Sequence, residues 1–235
     1  MIECFYFEDL SFGITEIKLT DEEFRHFKAL RVPKGDKICV VNGKGLAAFA
    51  YVSYVNNSFC VAKIINFVEN LGEIEQRIDL ALGILDNRER FEFAFEKAVE
   101  LRISEFFPIV TKFSQRKKID ESRLNRKAIS AIKQTIRSRL PIINSPVELR
   151  GLIDRFKDYD KVYVLNISGN RFSPIDHFES VLLVIGPEGG LSENELQMLS
   201  RRRNVEIVRI SEFNLRAETA VISALSIINN SLRNL

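Results

Sequence analysis

The chain has 235 residues, 46% of them hydrophobic and 28% charged, with a net charge of +2, enough for one large domain or two unequal ones with a sizeable core in at least one. No apolar run approaches the roughly 18 residues of a membrane span, and Met1-Ile2-Glu3-Cys4-Phe5 has neither the basic nor the apolar region of a secretory signal, so a cytoplasmic protein is expected. Cys4, Cys39 and Cys60 are scattered without C-x-x-C spacing and only His26 and His177 accompany them, which points to free thiols and away from a metal site.

In chain order, the first 70 residues read as short strands at 5–7, 37–41, 46–55 and 58–68, broken by the turn sequences Asn42-Gly43-Lys44-Gly45 and Asn56-Asn57. One helix interrupts them. Thr20 and Glu23 form a capping box, and Phe24, Phe27, Ala29 and Leu30 supply an apolar side. This is the pattern of a small β-barrel or sandwich with an inserted helix. It ends near Leu71-Gly72-Glu73, where we place the boundary between a domain at 1–70 and a second at 74–235.

Beyond that point strands and helices alternate. Residues 78–85 read as a strand, 88–101 as a helix with Phe91, Ala94, Phe95, Ala98 and Leu101 on one side, 105–110 as a strand, and 122–139 as a helix ended by Pro141. Strands follow at 162–165, 181–185 and 206–210, with helices after the last two; the final one, 217–232, carries Ala220, Val221, Ala224, Leu225, Ile227 and Ile228. Such alternation predicts an α/β fold, a mostly parallel sheet with helices on both faces.

Charge is unevenly spread. Residues 112–139 hold ten basic residues against Asp120 and Glu121, a segment of +8 that leaves −6 for the rest. That is the electrostatic footprint of a nucleic-acid contact, or else the chance bias of a solvated helix face. Arg201-Arg202-Arg203 is weaker, since it falls near the end of the helix starting at Ser192, where cations suit the helix dipole.

The densest signal is Ile185-Gly186-Pro187-Glu188-Gly189-Gly190-Leu191-Ser192-Glu193-Asn194-Glu195. An uninterrupted apolar strand, 181–185, enters a glycine-rich turn, and Ser192 with Glu195 makes a capping box for the helix beyond. The loop fits neither the P-loop nor the dinucleotide spacing and lacks a lysine for phosphate. It suits a neutral or cationic ligand read by backbone groups, or it is a plain strand-to-helix turn. In parallel sheets ligands bind beyond the carboxyl ends of strands, so the loops 166–169, 186–190 and 211–216 become candidates together. Arg216 and Glu218 lie at the helix start that follows the third, where a cation opposes the dipole.

These residues in this order resemble a known family. The stretch 185–195, followed by Asn214-Leu215-Arg216-Ala217-Glu218-Thr219, is similar to the G-P-E-G-G and L-R-x-E-T motifs of the SPOUT class of RNA methyltransferases, specifically the ribosomal RNA small subunit methyltransferase E family. Arg31-Val32-Pro33-Lys34-Gly35-Asp36 is similar to the family's L-R-x-x-x-G-D element, residues 92–101 with Lys97, Glu100 and Leu101 to its K-A-T-E-L helix, and Gln134, Arg137 and Leu140-Pro141 to its Q-S-x-R…L-P stretch. The chain departs from the family pattern at Arg102, Lys133, Ser211 to Asn214 and Ala217.

The resemblance implies a PUA-like N-terminal barrel, a C-terminal α/β SPOUT domain with a deep trefoil knot, and a homodimer. It implies methylation of N3 of a specific uridine in 16S rRNA of the small ribosomal subunit, with S-adenosyl-L-methionine as methyl donor and no metal. Related enzymes of the class methylate a ribose 2′-hydroxyl, and a non-enzymatic RNA-binding protein is the rival of a different kind. Carried over by position, the cofactor would be held by Leu165, Ile185, Gly186, Pro187, Glu188, Gly189, Gly190, Ile210, Ser211, Asn214, Leu215 and Ala217. Arg216 would stabilise the uracil anion, Glu218 would act as base or orient Arg216, and Arg31, Lys34, Gln134 and Arg137 would contact RNA, with Lys44 as a further contact.

Overall fold

A computed structural model describes residues 2–175 and 177–232. The chain divides into two compact units, Met1–Ile74 with Ile129–Leu140, and Glu75–Ala128 with Pro141–Leu235.

The first unit contains β1 (Glu3–Tyr6), β2 (Glu16–Leu19), α1 (Asp21–Leu30), β3 (Lys37–Val41), β4 (Leu46–Val55) and β5 (Cys60–Glu69). Its strands form a curled five-stranded sheet in the order β1-β3-β4-β5-β2, antiparallel except for the β1–β3 pair. Alternation decides which side chains are covered: Ile17 and Leu19, Ile38 and Val40, and Leu46, Ala48, Ala50 and Val52 point into one core with Phe24 and Phe27 of α1. The strand β2 is too short to stand out in the sequence. Cys4, Cys39 and Cys60 are buried free thiols.

The cap of α1 differs from expectation. Thr20 makes no side-chain cap hydrogen bond, and the Glu23 carboxylate that would complete the box is engaged elsewhere: it accepts from the Tyr6 amide at 3.0 Å and from Lys133 Nζ at 2.5 Å.

The second unit contains β6 (Arg77–Gly83), α2 (Arg88–Glu100), β7 (Glu105–Val110), β8 (Ile142–Ile143), β9 (Val147–Glu148), α4 (Leu149–Leu152), a 3₁₀ turn (Ile153–Asp158), β10 (Lys161–Arg171), β11 (Ser180–Ile185), α5 (Glu193–Ser200), β12 (Val205–Arg209) and α6 (Ala217–Ser231). The division between units falls within α3 (Glu121–Thr135). All pairings in the seven-stranded sheet, order β12-β10-β11-β6-β7-β8 with β9 also on β7, are parallel. Leu149, Leu152, Phe156, Leu191 and Leu199 cover one face through Leu182 and Val184. On the other, Phe91 and Phe95 of α2 pack on Phe106, and α6 lies against α2 and β11.

Two boundaries shift. The helix expected to reach 139 stops at Thr135, where Ile136 turns left-handed at φ 55°. The chain there satisfies other backbone groups: Ser138 bonds Leu71 and Gly45, and Leu140 bonds Gly43. The strand expected at 162–165 continues to 171, but Leu165 and Asn170 both register with Val208, so residues 166–169 leave the ladder and return to it.

Candidate active site

Three neighbouring strands, β12, β10 and β11, place the loops 210–216, 166–169 and 186–190 at one end of the parallel sheet. Leu165 is half-buried and Ile185 buried at the mouths of their strands. The Asn166 Oδ1 accepts from the amide and hydroxyl of Ser168, at 2.9 and 2.7 Å, shaping the first loop. Gly169 then returns so close to β12 that a Cβ would lie 2.6 Å from the Ile207 carbonyl, and its own carbonyl accepts from Arg209 at 2.9 Å.

The glycine-rich turn is packed backbone against backbone. A Cβ on Gly83, at the end of β6, would lie 2.3 Å from the Pro187 nitrogen, and one on Gly186 would lie 2.8 Å from the Gly190 carbonyl carbon. Gly190 adopts φ 70° and donates to the Pro187 carbonyl at 2.8 Å. Gly186 and Pro187 are buried, whereas Glu188 and Gly189 face solvent. Glu195 of the expected capping box accepts the Ser192 amide at 2.8 Å, and its other oxygen takes the Lys112 amide at 2.9 Å.

In the third loop Ile210 and Ser211 are half-buried, Asn214 and Leu215 exposed, and Ser211 Oγ accepts the Phe213 amide at 3.0 Å. Arg216 occupies the N-cap of α6 in extended conformation. Its guanidinium is exposed and makes no hydrogen bond or ion pair among the described residues. Ala217 behind it is buried.

One residue absent from the sequence-based set ties two of these loops together. Arg90, in the first turn of α2, donates from Nε to Glu218 Oε1 at 2.9 Å and approaches Glu188 Oε1 with Nη1 at 3.9 Å. The Asp86 amide adds a 3.3 Å bond to Glu188. Burial opposes charge on Glu218, but the Arg90 hydrogen bond, an amide at the helix start and the charges of Arg90 and Arg216 together hold its carboxyl below the ordinary range. Its second oxygen is buried without a hydrogen-bond partner among the described residues. Arg90 carries the same signal that singles out Arg216, a cation in the first turn of a helix.

The basic segment is less open than its composition implies. Arg123 pairs with Glu92 and Lys127 with Glu96, while Lys133 pairs with Glu23. Arg137, expected to touch RNA, is only 3% exposed and forks onto Glu73, the shortest bond being 2.8 Å. That expectation is corrected: the guanidinium is spent inside the first unit. Gln134, Arg31, Lys34 and Lys44 are exposed, Arg31 as the left-handed C-cap of α1 and Lys44 3.4 Å from Glu8. The surplus charge facing solvent comes from Lys112, Lys117, Lys118, Arg126 and Arg139, with Arg116 half-buried.

No group of residues able to hold a metal ion is found among the described residues, and no described helix is long and apolar enough to cross a membrane.

A parallel α/β sheet with such loops, in a chain that also carries a small curled sheet, matches a defined class. Residues 72–229 match the family model of an RNA methyltransferase domain, and residues 19–65 that of an RNA methyltransferase PUA domain. Among curated relatives, ribosomal RNA small subunit methyltransferase E of Mesomycoplasma hyopneumoniae is 30% identical over 214 residues, covering 88% of this chain and 91% of the relative. Its namesake in Bacillus subtilis is 27% identical over 228 residues, covering 90% and 88%. The chain therefore belongs to the ribosomal RNA small subunit methyltransferase E family.

Solved structures agree on the fold. The Neisseria gonorrhoeae ribosomal RNA small subunit methyltransferase E, bound to S-adenosyl methionine, superposes with a TM-score of 0.86 at 24% identity, covering 98% of each chain. A Legionella pneumophila protein assigned as a methyltransferase, in complex with the bound cofactor, gives 0.84 at 25% identity with the same coverage.

Proposed function

We propose that the chain methylates N3 of one uridine of 16S rRNA, uridine 1498 in the family's convention, using S-adenosyl-L-methionine and acting as a homodimer in the cytoplasm. The observation that carries this reading is the convergence of the three loops at the ends of β12, β10 and β11 in a chain of this family. In this reading residues 1–70 form the RNA-gripping PUA-like domain and 74–235 the methyltransferase domain. The close backbone passages at Gly83, Gly169 and Gly186 support a knotted path through the three loops.

The residues present fit the donor. The loops offer backbone groups, the exposed apolar surface of Ile167 and Leu215, and the carboxylate of Glu188, with Glu218 at the start of α6. The orphaned Glu218 oxygen adds an unsatisfied negative acceptor. Leu165, Ile185, Gly186 to Gly190, Ile210, Ser211, Asn214, Leu215 and Ala217 would hold it. Bound there, it supplies an activated methyl group on a cationic sulfur.

What the protein adds is orientation and charge. The uracil N3 proton must leave, to solvent water, so that the nitrogen lone pair can bond the methyl carbon as the carbon–sulfur bond breaks and a neutral thioether would depart. Arg216, uncommitted and at the positive end of α6, stabilises the resulting uracil anion. Glu218, fixed and ionised by Arg90, orients Arg216 electrostatically; its depressed basicity makes it a poorer proton acceptor than a positioning group. Arg31, Lys34 and Gln134 remain as RNA contacts.

The test is incubation with small ribosomal subunits from a strain lacking this enzyme, followed by nucleoside mapping. A methyl on uracil N3 is the expected product. A methyl on the ribose would replace this reading with 2′-hydroxyl chemistry, and no S-adenosylmethionine binding by calorimetry would leave a non-enzymatic RNA-binding protein.

A further inference from the structure

The outward face of the first unit's sheet presents aromatic rings and lysines with no role in the proposed methyl transfer. Along β4, Ala50 and Val52 point into the core, so Tyr51 points outward. The register sets it between Lys37 of β3 and Lys63 of β5. Simple alternation would then turn Tyr54 inward with Val52, but the register shifts between them. Tyr54 instead lies opposite Val61, which neighbours Lys18 of β2. Lys18 Nζ stands 4.0 Å from the centroid of Phe59, whose ring is 5.8 Å from that of Tyr54.

The bulge therefore brings a second tyrosine onto the face that alternation alone would have hidden. Tyr51 is 40% exposed and Tyr54 50%. None of the three lysines forms an ion pair among the described residues. Glu16, opposite Lys63, is the one acid in these two rows.

Strands stand about 4.8 Å apart, and successive same-face residues about 7 Å. That grid alternates flat rings with ammonium groups on the scale of a nucleotide repeat. Aromatic rings stack on any base whose face is free, and lysines neutralise the phosphates between. A duplex hides its base faces, so the matching occupant is single-stranded RNA. Lysine is depleted from the cores of protein interfaces, and two copies of a lysine-bearing face repel each other, which disfavours a protein occupant.

We propose that this face is a stacking platform for single-stranded RNA, with Tyr51 and Tyr54 under two bases and Lys18, Lys37 and Lys63 on phosphates. It rests on the reading of the chain as an rRNA methyltransferase and adds a second point of grip on that substrate.

The test uses the full chain and a fluorescent single-stranded RNA of about 12 nucleotides, beside the same RNA as a duplex. Fluorescence anisotropy is followed against salt. The Tyr51→Ala, Tyr54→Ala double variant should bind the single strand at least about thirtyfold more weakly, with its salt slope kept and duplex binding unchanged. Tyr51→Phe with Tyr54→Phe should restore affinity, since the rings remain. Removing Lys18, Lys37 and Lys63 together should instead flatten the salt slope by about 2.

Equal single-strand affinity for the wild type and the tyrosine double variant overturns the platform. So does an equal loss on duplex, a change in sedimentation showing that the face joins protein chains, or no single-strand binding by the wild type. Calorimetry with S-adenosylmethionine and nucleoside mapping on the same wild-type sample separate the two readings. Their failure removes the methyltransferase assignment, whereas intact methylation with unaltered RNA affinity in the double variant removes the platform alone.

Discussion

Arg90 Nε lies 2.9 Å from Glu218 Oε1, joining the first turn of α2 to the first turn of α6. Both ends belong to helix starts, where a carboxylate is welcome and a cation is not. The pair resolves that conflict by setting the cation against the carboxylate, and it leaves Arg216, two residues before Glu218, as the uncommitted positive group.

Replacing Arg90 by Ala strands the Glu218 charge. A loss of stability is the expected result, read by urea denaturation. Methylation should fall by more than the loss of folded enzyme explains, and Arg90→Lys should recover only part of it because lysine lacks the planar fork. An Arg90→Ala enzyme of normal specific activity would remove the residue from the site.

The pH dependence of stability follows from the same pair. The Glu218 carboxyl lies below its ordinary value of 4.5 in the folded state. Its contribution is therefore fully present above that value and is lost as pH falls through the lower native one. Wild type and Glu218→Gln should differ by a constant margin near neutrality, and the margin should shrink only below about pH 4.5. A margin that shrinks near pH 6 would contradict the assignment.

Arg216→Ala should lower the methylation rate about 10²- to 10³-fold, the effect of deleting one electrostatic contact to a developing anion. Calorimetric affinity for S-adenosylmethionine should stay nearly unchanged. Parallel loss of both would make Arg216 a binding residue.

Gly83→Ala tests the packing of the glycine-rich turn. The new methyl would meet Pro187 at a distance no Cβ tolerates, so β6 and the turn must separate. Cofactor affinity should drop along with thermal stability, whereas Gly35→Ala, which meets no neighbour but carries φ 95°, should show backbone strain alone and keep cofactor affinity. Equal cofactor binding by the Gly83 variant would show that the turn is not part of the pocket.

Arg137→Ala should act through folding. Leaving Glu73 charged and buried is expected to cost about 3–5 kcal/mol, while the fraction that folds should hold RNA with unchanged salt slope. A lowered slope with full stability would return Arg137 to the RNA surface.

Much of this architecture was legible locally. The apolar run at 181–185, the Ser192 and Glu195 helix start, and the alternation of strands and helices after residue 74 follow from periodicity and turn chemistry, which neighbouring residues set by themselves. The placement of Arg216 at a helix start was equally readable. Other features depend on partners far along the chain. Glu23 forgoes the Thr20 cap because Lys133 and the Tyr6 amide reach it, the third helix ends at Thr135 because the backbone beyond bonds to Gly43, Gly45 and Leu71, and Arg137 is buried because Glu73 meets it there.

The sequence by itself thus determined the longer elements, the order of the three loops and the kind of ligand their residues suit, since each rests on residues adjacent in the chain. Only the tertiary structure decided which charges are free. Arg216 stays uncommitted while Arg90, Arg123, Lys127, Lys133 and Arg137 are paired, and Tyr54 is turned outward by a break in register, because charge pairing and strand register are long-range and no local pattern records them.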